Sequence, residues 1–272
     1  MENNKNIFYI IAALTLISGC VLALLFYQRP QKATHAELEE LEEKASVPKA
    51  AVQIAIVLDD WGYNLQYLKF LEETHVPLTI AVLPNLKHSA EIAEQARKMH
   101  KEVLLHLPLE PENKEKLRLE KDTITSDMTK EKIIQCFKTA LQSVPNVSGV
   151  SNHMGSRATK DPRIMSILFA EIKKANLFFL DNMVTEQSVC GELAKKMQVK
   201  IAERDVFLDN SNQYAEIKKQ LDKLVDCARI SGRAIGNGHA RPETLAVLKE
   251  QIPLMEKKGI KFIFISEMAK YR

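Results

Sequence analysis

The stretch Ile54-Ala55-Ile56-Val57-Leu58-Asp59-Asp60-Trp61-Gly62-Tyr63-Asn64 decides the fold. Its first five residues are apolar, rich in Ile and Val, and too few for a helix, as in a strand buried on both faces of a parallel sheet. Two carboxylates follow at once, and then a glycine-containing turn. Neither GxGxxG nor GxxxxGK[ST] follows this strand, so nucleotide-binding versions of a parallel sheet lose weight.

Outward from this segment the same unit recurs. Further short apolar runs occupy residues 78–83, 102–106, 147–152, 177–181, 199–202, 234–238 and 261–265. Amphipathic stretches at 89–99, 130–143, 163–175, 186–197, 215–230 and 242–258 alternate with them and predict helices. Such alternation argues for an α/β fold with a parallel sheet. A closed barrel and an open doubly wound sheet share this linear pattern.

The 272-residue chain is 46% hydrophobic and 27% charged, with a formal charge of +3. Those values exclude a disordered or collagen-like chain and give no basic footprint for nucleic acid. The four cysteines, Cys20, Cys136, Cys190 and Cys227, form no CxxC pair, which argues against a zinc ribbon or disulfide scaffold. The last three fall in helical stretches and read as small apolar packing residues.

Before the alternating region lies an uncharged run from Ile7 to Tyr27. As a helix it would span about 30 Å, the thickness of a bilayer's hydrocarbon core. The expected organisation is a short tail (1–6), one transmembrane anchor (7–27), a polar, acidic linker (28–50) and one α/β domain (51–272). Ile17-Ser18-Gly19-Cys20 resembles a lipoprotein box, but the apolar run continues past Cys20, so an uncleaved anchor is favoured. Lys5 before the run against Arg29 and Lys32 after it gives a weak bias, by one residue, that leans against export.

Chemistry-bearing residues gather where the predicted strands end, which is where parallel α/β folds build sites. The first strand ends in Asp59-Asp60, the third in His106 followed by Glu110, and the fourth in Asn152-His153 with Arg157 beyond. The fifth ends in Asp181-Asn182, and a later one in Asn237-Gly238-His239. Asp60, His106 and His153 are donors suited to a divalent metal, while Asp59 and His239 suit proton exchange. From position and chemistry alone, a metal-assisted hydrolase competes with a barrel rim of helix caps and structural histidines. His75, His88 and His100 lie away from strand ends and read as surface residues. Trp61 admits two readings, a sugar platform or packing against the rim.

The constellation resembles the divergent polysaccharide deacetylase family, a branch of the NodB-like carbohydrate esterases. The matching segments are 54–64, 77–111, 147–161, 177–182, 202–210 and 238–245, in order and with compatible spacing. The resemblance implies a distorted (β/α) barrel of about seven strand–helix units. It also implies a metal-dependent hydrolase that removes N-acetyl groups from a cell-envelope or other polysaccharide. Asp59 would then be the base, Asp60 and His106 metal ligands, and His239 the general acid. Where the classical branch has a second histidine four residues after the first, this chain has Glu110. Either Glu110 or His153 therefore completes the site, and His153 is favoured. Glu110, Asn152, Arg157 and Asp181 are expected to contact substrate or support the ligands, with a helix cap an equal reading for Asp181. A divalent metal, zinc foremost, an N-acetylated glycan and the membrane are the implied partners. The soluble domain is expected on the extracytoplasmic side of the inner membrane. A non-catalytic glycan-binding protein on the same barrel is the rival, favoured by the change at Glu110. A phosphoesterase on such a barrel is a weaker third reading.

Overall fold

The computed structural model describes residues 51–271. Strands are β1 (Gln53–Trp61), β2 (Thr79–Val82), β3 (Glu102–Leu109), β4 (Gly149–Met154), β5 (Phe178–Asp181), β6 (Ile201–Glu203), β7 (Val206–Phe207), β8 (Arg233–His239) and β9 (Lys261–Phe262). Helices are α1 (Leu68–Glu73), α2 (Ser89–Lys98), α3 (Lys130–Ser143), α4 (Pro162–Lys174), α5 (Cys190–Met197), α6 (Tyr214–Ser231), α7 (Pro242–Lys257) and α8 (Ile265–Met268). The expected transmembrane anchor and linker lie outside the described residues. No described helix is long and apolar enough to cross a membrane.

The strands form one sheet in the order β6-β5-β4-β3-β2-β1-β8-β7, with β9 added beside β1, and the named strand pairs are parallel. The two ends of this order, β6 and β7, do not pair, although only Arg204 and Asp205 separate them in sequence. The structure is therefore a half-barrel α/β fold of nine strands, more than the seven or so units expected. Eight of the nine fall on the expected apolar runs, β9 within 261–265; the one without a counterpart is β7, two residues long and too short to leave a periodic signal.

Several boundaries follow local chemistry. Helix α3 begins after Thr129, whose hydroxyl accepts from the Lys132 amide. Helix α4 begins after Asp161, which accepts from the amides of Arg163 and Ile164, with Pro162 at the first helical position. Residues 186–189, expected to be helical, instead form the approach to α5. The expected strand end at Ile265 instead opens α8, whose first amides donate to Thr79 Oγ1 and Glu102 Oε2.

The sheet separates two apolar layers, and strand periodicity decides which residue joins which. On the outer face Ile54, Ile56, Leu58, Val103, Leu105 and Phe179 pack with helix residues such as Ile92, Phe137, Phe169 and Leu248. On the inner face Ala55, Val57, Ala81, Leu104, Leu180 and Ile235 meet Ile263, Ile265 and Met268 from the C-terminal segment. That segment then runs to β6, where Lys270 and Ile201 exchange backbone hydrogen bonds. The inner face is apolar through its middle, carries Thr79 and Glu102 at the strand N-termini where α8 satisfies them, and turns polar again toward the strand C-terminal ends.

Candidate metal and acid–base site

Inner-face parity delivers most of the polar cluster. Asp59 continues the series Ala55, Val57; His106 follows Leu104; Asn182 follows Phe178 and Leu180; Asn237 and His239 follow Ile235. Strand register sets neighbours side by side, pairing Asp59 with His239, Val57 with Asn237, and His106 with Ser151.

Asp60 breaks the parity, since in a regular strand it would point outward. The β1–β2 register slips between Leu58 and Trp61, so that β1 uses one more residue than β2 there. This is a bulge, and Asp60 sits in it with φ 63, a left-handed conformation that aspartate tolerates better than most residues. The bulge brings two consecutive carboxylates to one side of the sheet. A second left-handed pair, Met154 (φ 54) and Gly155 (φ 97), turns the chain after His153. A Cβ at Gly155 would lie 2.9 Å from the Leu109 Cβ, so the turn needs glycine.

Among the described residues, Asp60, His106 and His153 form the one group whose ligand atoms all lie within 4.8 Å of one another. Asp60 Oδ1 is 3.2 Å from His106 Nε2 and 3.0 Å from His153 Nδ1. Tetrahedral ligation at 2.0–2.1 Å would separate donors by about 3.3 Å, so the spacing fits a zinc-like divalent ion. Asp60 Oδ1 is buried, yet no hydrogen bond reaches it despite both nearby nitrogens. Two imidazoles and one carboxylate also suit several other first-row divalent ions. Burial disfavours charge on Asp60, but the two histidines outweigh it and hold its carboxyl far below the usual range.

The surrounding groups fix this trio and its neighbours. Ser151 Oγ lies 2.8 Å from His106 Nδ1; with that nitrogen protonated, the Nε2 lone pair faces the trio. Asp59 Oδ2 accepts from the side-chain amides of Asn182 and Asn237, each at 2.9 Å, whereas buried Oδ1 has no partner. Asn182 is held by Asn152, whose Oδ1 accepts from its backbone amide and whose carbonyl accepts from its side chain. His239 stands on the other side of Asp60, with Nε2 3.5 Å from Oδ2. Asp209 grips it twice, Oδ2 accepting from the His239 amide at 2.7 Å and Oδ1 lying 2.9 Å from Nδ1. Burial opposes a charged His239, but the Asp209 hydrogen bond and the charges of Asp60, Asp209 and Asp59 prevail and raise its pKa.

The structure thus brings together five predicted residues, Asp59, Asp60, His106, His153 and His239, with Asn152 behind them. Three further predicted residues lie outside this cluster. Glu110, the alternative to His153, is fully buried and occupied elsewhere, with Oε1 2.7 Å from Lys114 Nζ and Oε2 accepting from the Ser126 amide, while the favoured His153 stands in the trio. Asp181 has outer-face parity and neither orients a ligand nor caps a helix directly. Its carboxylate accepts from the Met183 amide and Ser188 hydroxyl, bracing the approach to α5. Arg157 is more than half exposed, 3.8 Å from Glu110, and does not line the cavity beside the trio. Trp61 is buried and belongs to the outer core, which selects packing over a platform.

Sequence reading missed Ser151, Asn182, Asn237 and Asp209 as functional supports. The last is the most consequential, because it also accepts from the Thr244 hydroxyl at 2.7 Å. Asp209→Ala would leave three buried or half-buried donors without their acceptor. The expected loss is on the order of 3 kcal/mol, read by chemical denaturation, and an unchanged midpoint would refute the bracing role.

A family model described as divergent polysaccharide deacetylase matches residues 56–269. The uncharacterized protein YibQ of Escherichia coli (strain K12) is 34% identical over 207 residues, covering 76% of this chain. The match spans 64% of that relative's length. Among solved structures, the uncharacterized protein ATU2773 from Agrobacterium tumefaciens C58 aligns with a TM-score of 0.76 at 25% identity. That alignment covers 81% of this chain and 90% of the other. The catalytic domain of a peptidoglycan N-acetylglucosamine deacetylase from Eubacterium rectale ATCC 33656 aligns at TM-score 0.50 and 15% identity, a likeness of fold. It covers 80% of this chain and 90% of that domain.

Proposed function

Because the chain belongs to the divergent polysaccharide deacetylase family, we propose that it is a metal-dependent hydrolase that removes acetyl groups from an N-acetylated glycan. The observation that carries this reading is the division of labour around Asp60. On one side, Asp59 has an oxygen held by two amides and a second, buried oxygen with no partner. On the other, His239 is backed by a carboxylate. Between them, Asp60, His106 and His153 offer three donors to a divalent ion, of which zinc is one that fits. Bound there, the ion supplies Lewis acidity toward water and the acetamide carbonyl.

The chain's own residues account for the protons. Water oxygen adds to the acetyl carbon, and its proton passes to Asp59 Oδ1, the carboxylate oxygen left free. The carbon–nitrogen bond then breaks, and His239 in its imidazolium form donates to the departing nitrogen. Acetate and a glycan amine are the products. Asp209 orients His239 and favours its charged form. Asn182 and Asn237 prevent Asp59 from rotating away from the trio.

The uncharged run from Ile7 to Tyr27 supports the further proposal that this domain is tethered at the inner membrane and acts on an envelope glycan. The test is acetate release by the full chain from N-acetylated chito-oligosaccharides and peptidoglycan fragments, before and after chelation. The expected result is one divalent ion per chain, turnover abolished by chelator, and recovery on re-addition. Stoichiometric metal without turnover on any acetylated glycan would instead support the non-catalytic rival.

A further inference from the structure

Beside the trio lies a cavity of about 250 Å³, lined among others by Asp60, Trp61, Tyr63, Tyr67, His239 and Arg241. Its size is at the small end for a ligand site and suits one substituent or one sugar unit of a longer chain. Tyr63 is 52% exposed, and its hydroxyl contacts Glu120 from the segment between β3 and α3. The rings of Tyr63 and Tyr67 suit the apolar faces of a pyranose ring.

Arg241 is the unusual member of this lining. Its Nη1 donates to the Asp209 carbonyl and to Asn212 Oδ1, both at 3.2 Å and both neutral acceptors. Among the described residues, no carboxylate pairs with this guanidinium and no hydrogen bond engages its Nε or Nη2. Asp60, the one carboxylate in the lining, is paired with the histidines instead. The other arginines near the strand ends are already engaged. Arg157 lies against Glu110, and Arg204 donates to the Met183 carbonyl and covers the Phe207 ring. Arg241 is thus half-buried, fixed by its own fold, and left with two adjacent donors on one edge. Such an edge matches a planar carboxylate in a paired hydrogen bond.

We infer that this cavity is a subsite for a carboxylate carried by the glycan, with Arg241 as the residue that selects it. The inference rests on the reading of the substrate as an N-acetylated glycan and names its charge class. The carboxylate could belong to a lactyl ether or to a uronic acid, and the two sources are separable.

Equilibrium binding of three oligosaccharides of similar length to the metal-loaded full chain tests it. One is the neutral N-acetylchito-oligosaccharide, one a peptidoglycan glycan bearing lactyl carboxylates, and one an N-acetylated glycan with uronic acid units. The wild type is expected to prefer a carboxylate-bearing glycan over the neutral one by about tenfold, the effect of one charge-assisted pair. Whichever carboxylate is preferred identifies the source. Arg241→Gln should bring the ratio close to one, and Arg241→Lys, which keeps charge but not the paired edge, should lower it severalfold. Equal wild-type binding of charged and neutral glycans would overturn the inference. So would an undiminished preference in a folded Arg241→Gln, or in Arg241→Lys should the first variant not fold. Binding to none of the three counts against both the subsite and the glycan reading. Preference without acetate release leaves the subsite standing and removes the deacetylase reading alone.

Discussion

Asp59→Asn is expected to lower acetate release by about 10³-fold while leaving metal content at one ion per chain, the range attached to loss of a positioned proton acceptor. The substitution is nearly isosteric. Asn182 and Asn237 both donate to one oxygen of Asp59, so an asparagine must turn its carbonyl toward them. Its amide then occupies the position of the unpartnered oxygen and cannot accept a proton. The trio is untouched, since its donors come from Asp60, His106 and His153. Folding should change little, because the variant is nearly isosteric and replaces a buried charge by a neutral amide at a position that is unpartnered in either case. Retention of more than a tenth of the wild-type rate, with metal bound, would remove Asp59 from the role of base.

Much of this site was legible because polar residues at the ends of apolar strands are few and conspicuous. Asp59, His106, His153 and His239 each interrupt or close a run that would otherwise remain buried. Alternation along the strands carried further information. From Ala55 and Val57 it points Asp59 inward, and from Phe178 and Leu180 it points Asn182 inward and Asp181 outward. Asp181 was the more tempting choice because carboxylates are commoner site residues, yet its parity places it against the outer layer. Asp209 was harder to see. It lies two residues beyond the two-residue strand β7, where no periodic signal exists, and its partner His239 is 30 residues away. Glu110, the less favoured alternative to His153, is explained by a local partner. Its position after His106 suggested a ligand, but Lys114 stands four residues further on, within reach of its carboxylate.

The edges of the sheet were illegible for a related reason. A half-barrel and a closed barrel differ in whether the last strands pair. In this chain that depends on Arg204 and Asp205 bridging β6 and β7 rather than on any apolar pattern. Asp205 accepts from the Ile235 amide at 2.7 Å, and the Arg204 amide donates to the Asp181 carbonyl. The chain itself therefore spans the seam, each residue tied to a different side.

Asp60→Asn is expected to abolish stoichiometric metal binding and, with it, detectable turnover. Asp60 is the only anionic donor of the trio, and two neutral imidazoles with an amide make a poor divalent site. The backbone makes asparagine the informative replacement. At φ 63 most side chains add strain, whereas asparagine tolerates the left-handed region about as well as aspartate. Loss of metal can then be assigned to the donor atom rather than to collapse of the bulge. A second readout follows from linkage in the metal-free protein. The Asp60 carboxyl is held far below the ordinary carboxylate range by His106 and His153 despite its burial. A depressed carboxyl stabilises the fold above its unfolded pKa, and that stability is lost as pH falls toward the folded value. Metal-free Asp60→Asn should therefore show a shallower decline of stability below about pH 4 than the metal-free wild type. Full metal content in the variant would show that Asp60 is no ligand. Identical acid limbs would show that its pairing with the histidines does not contribute to folding.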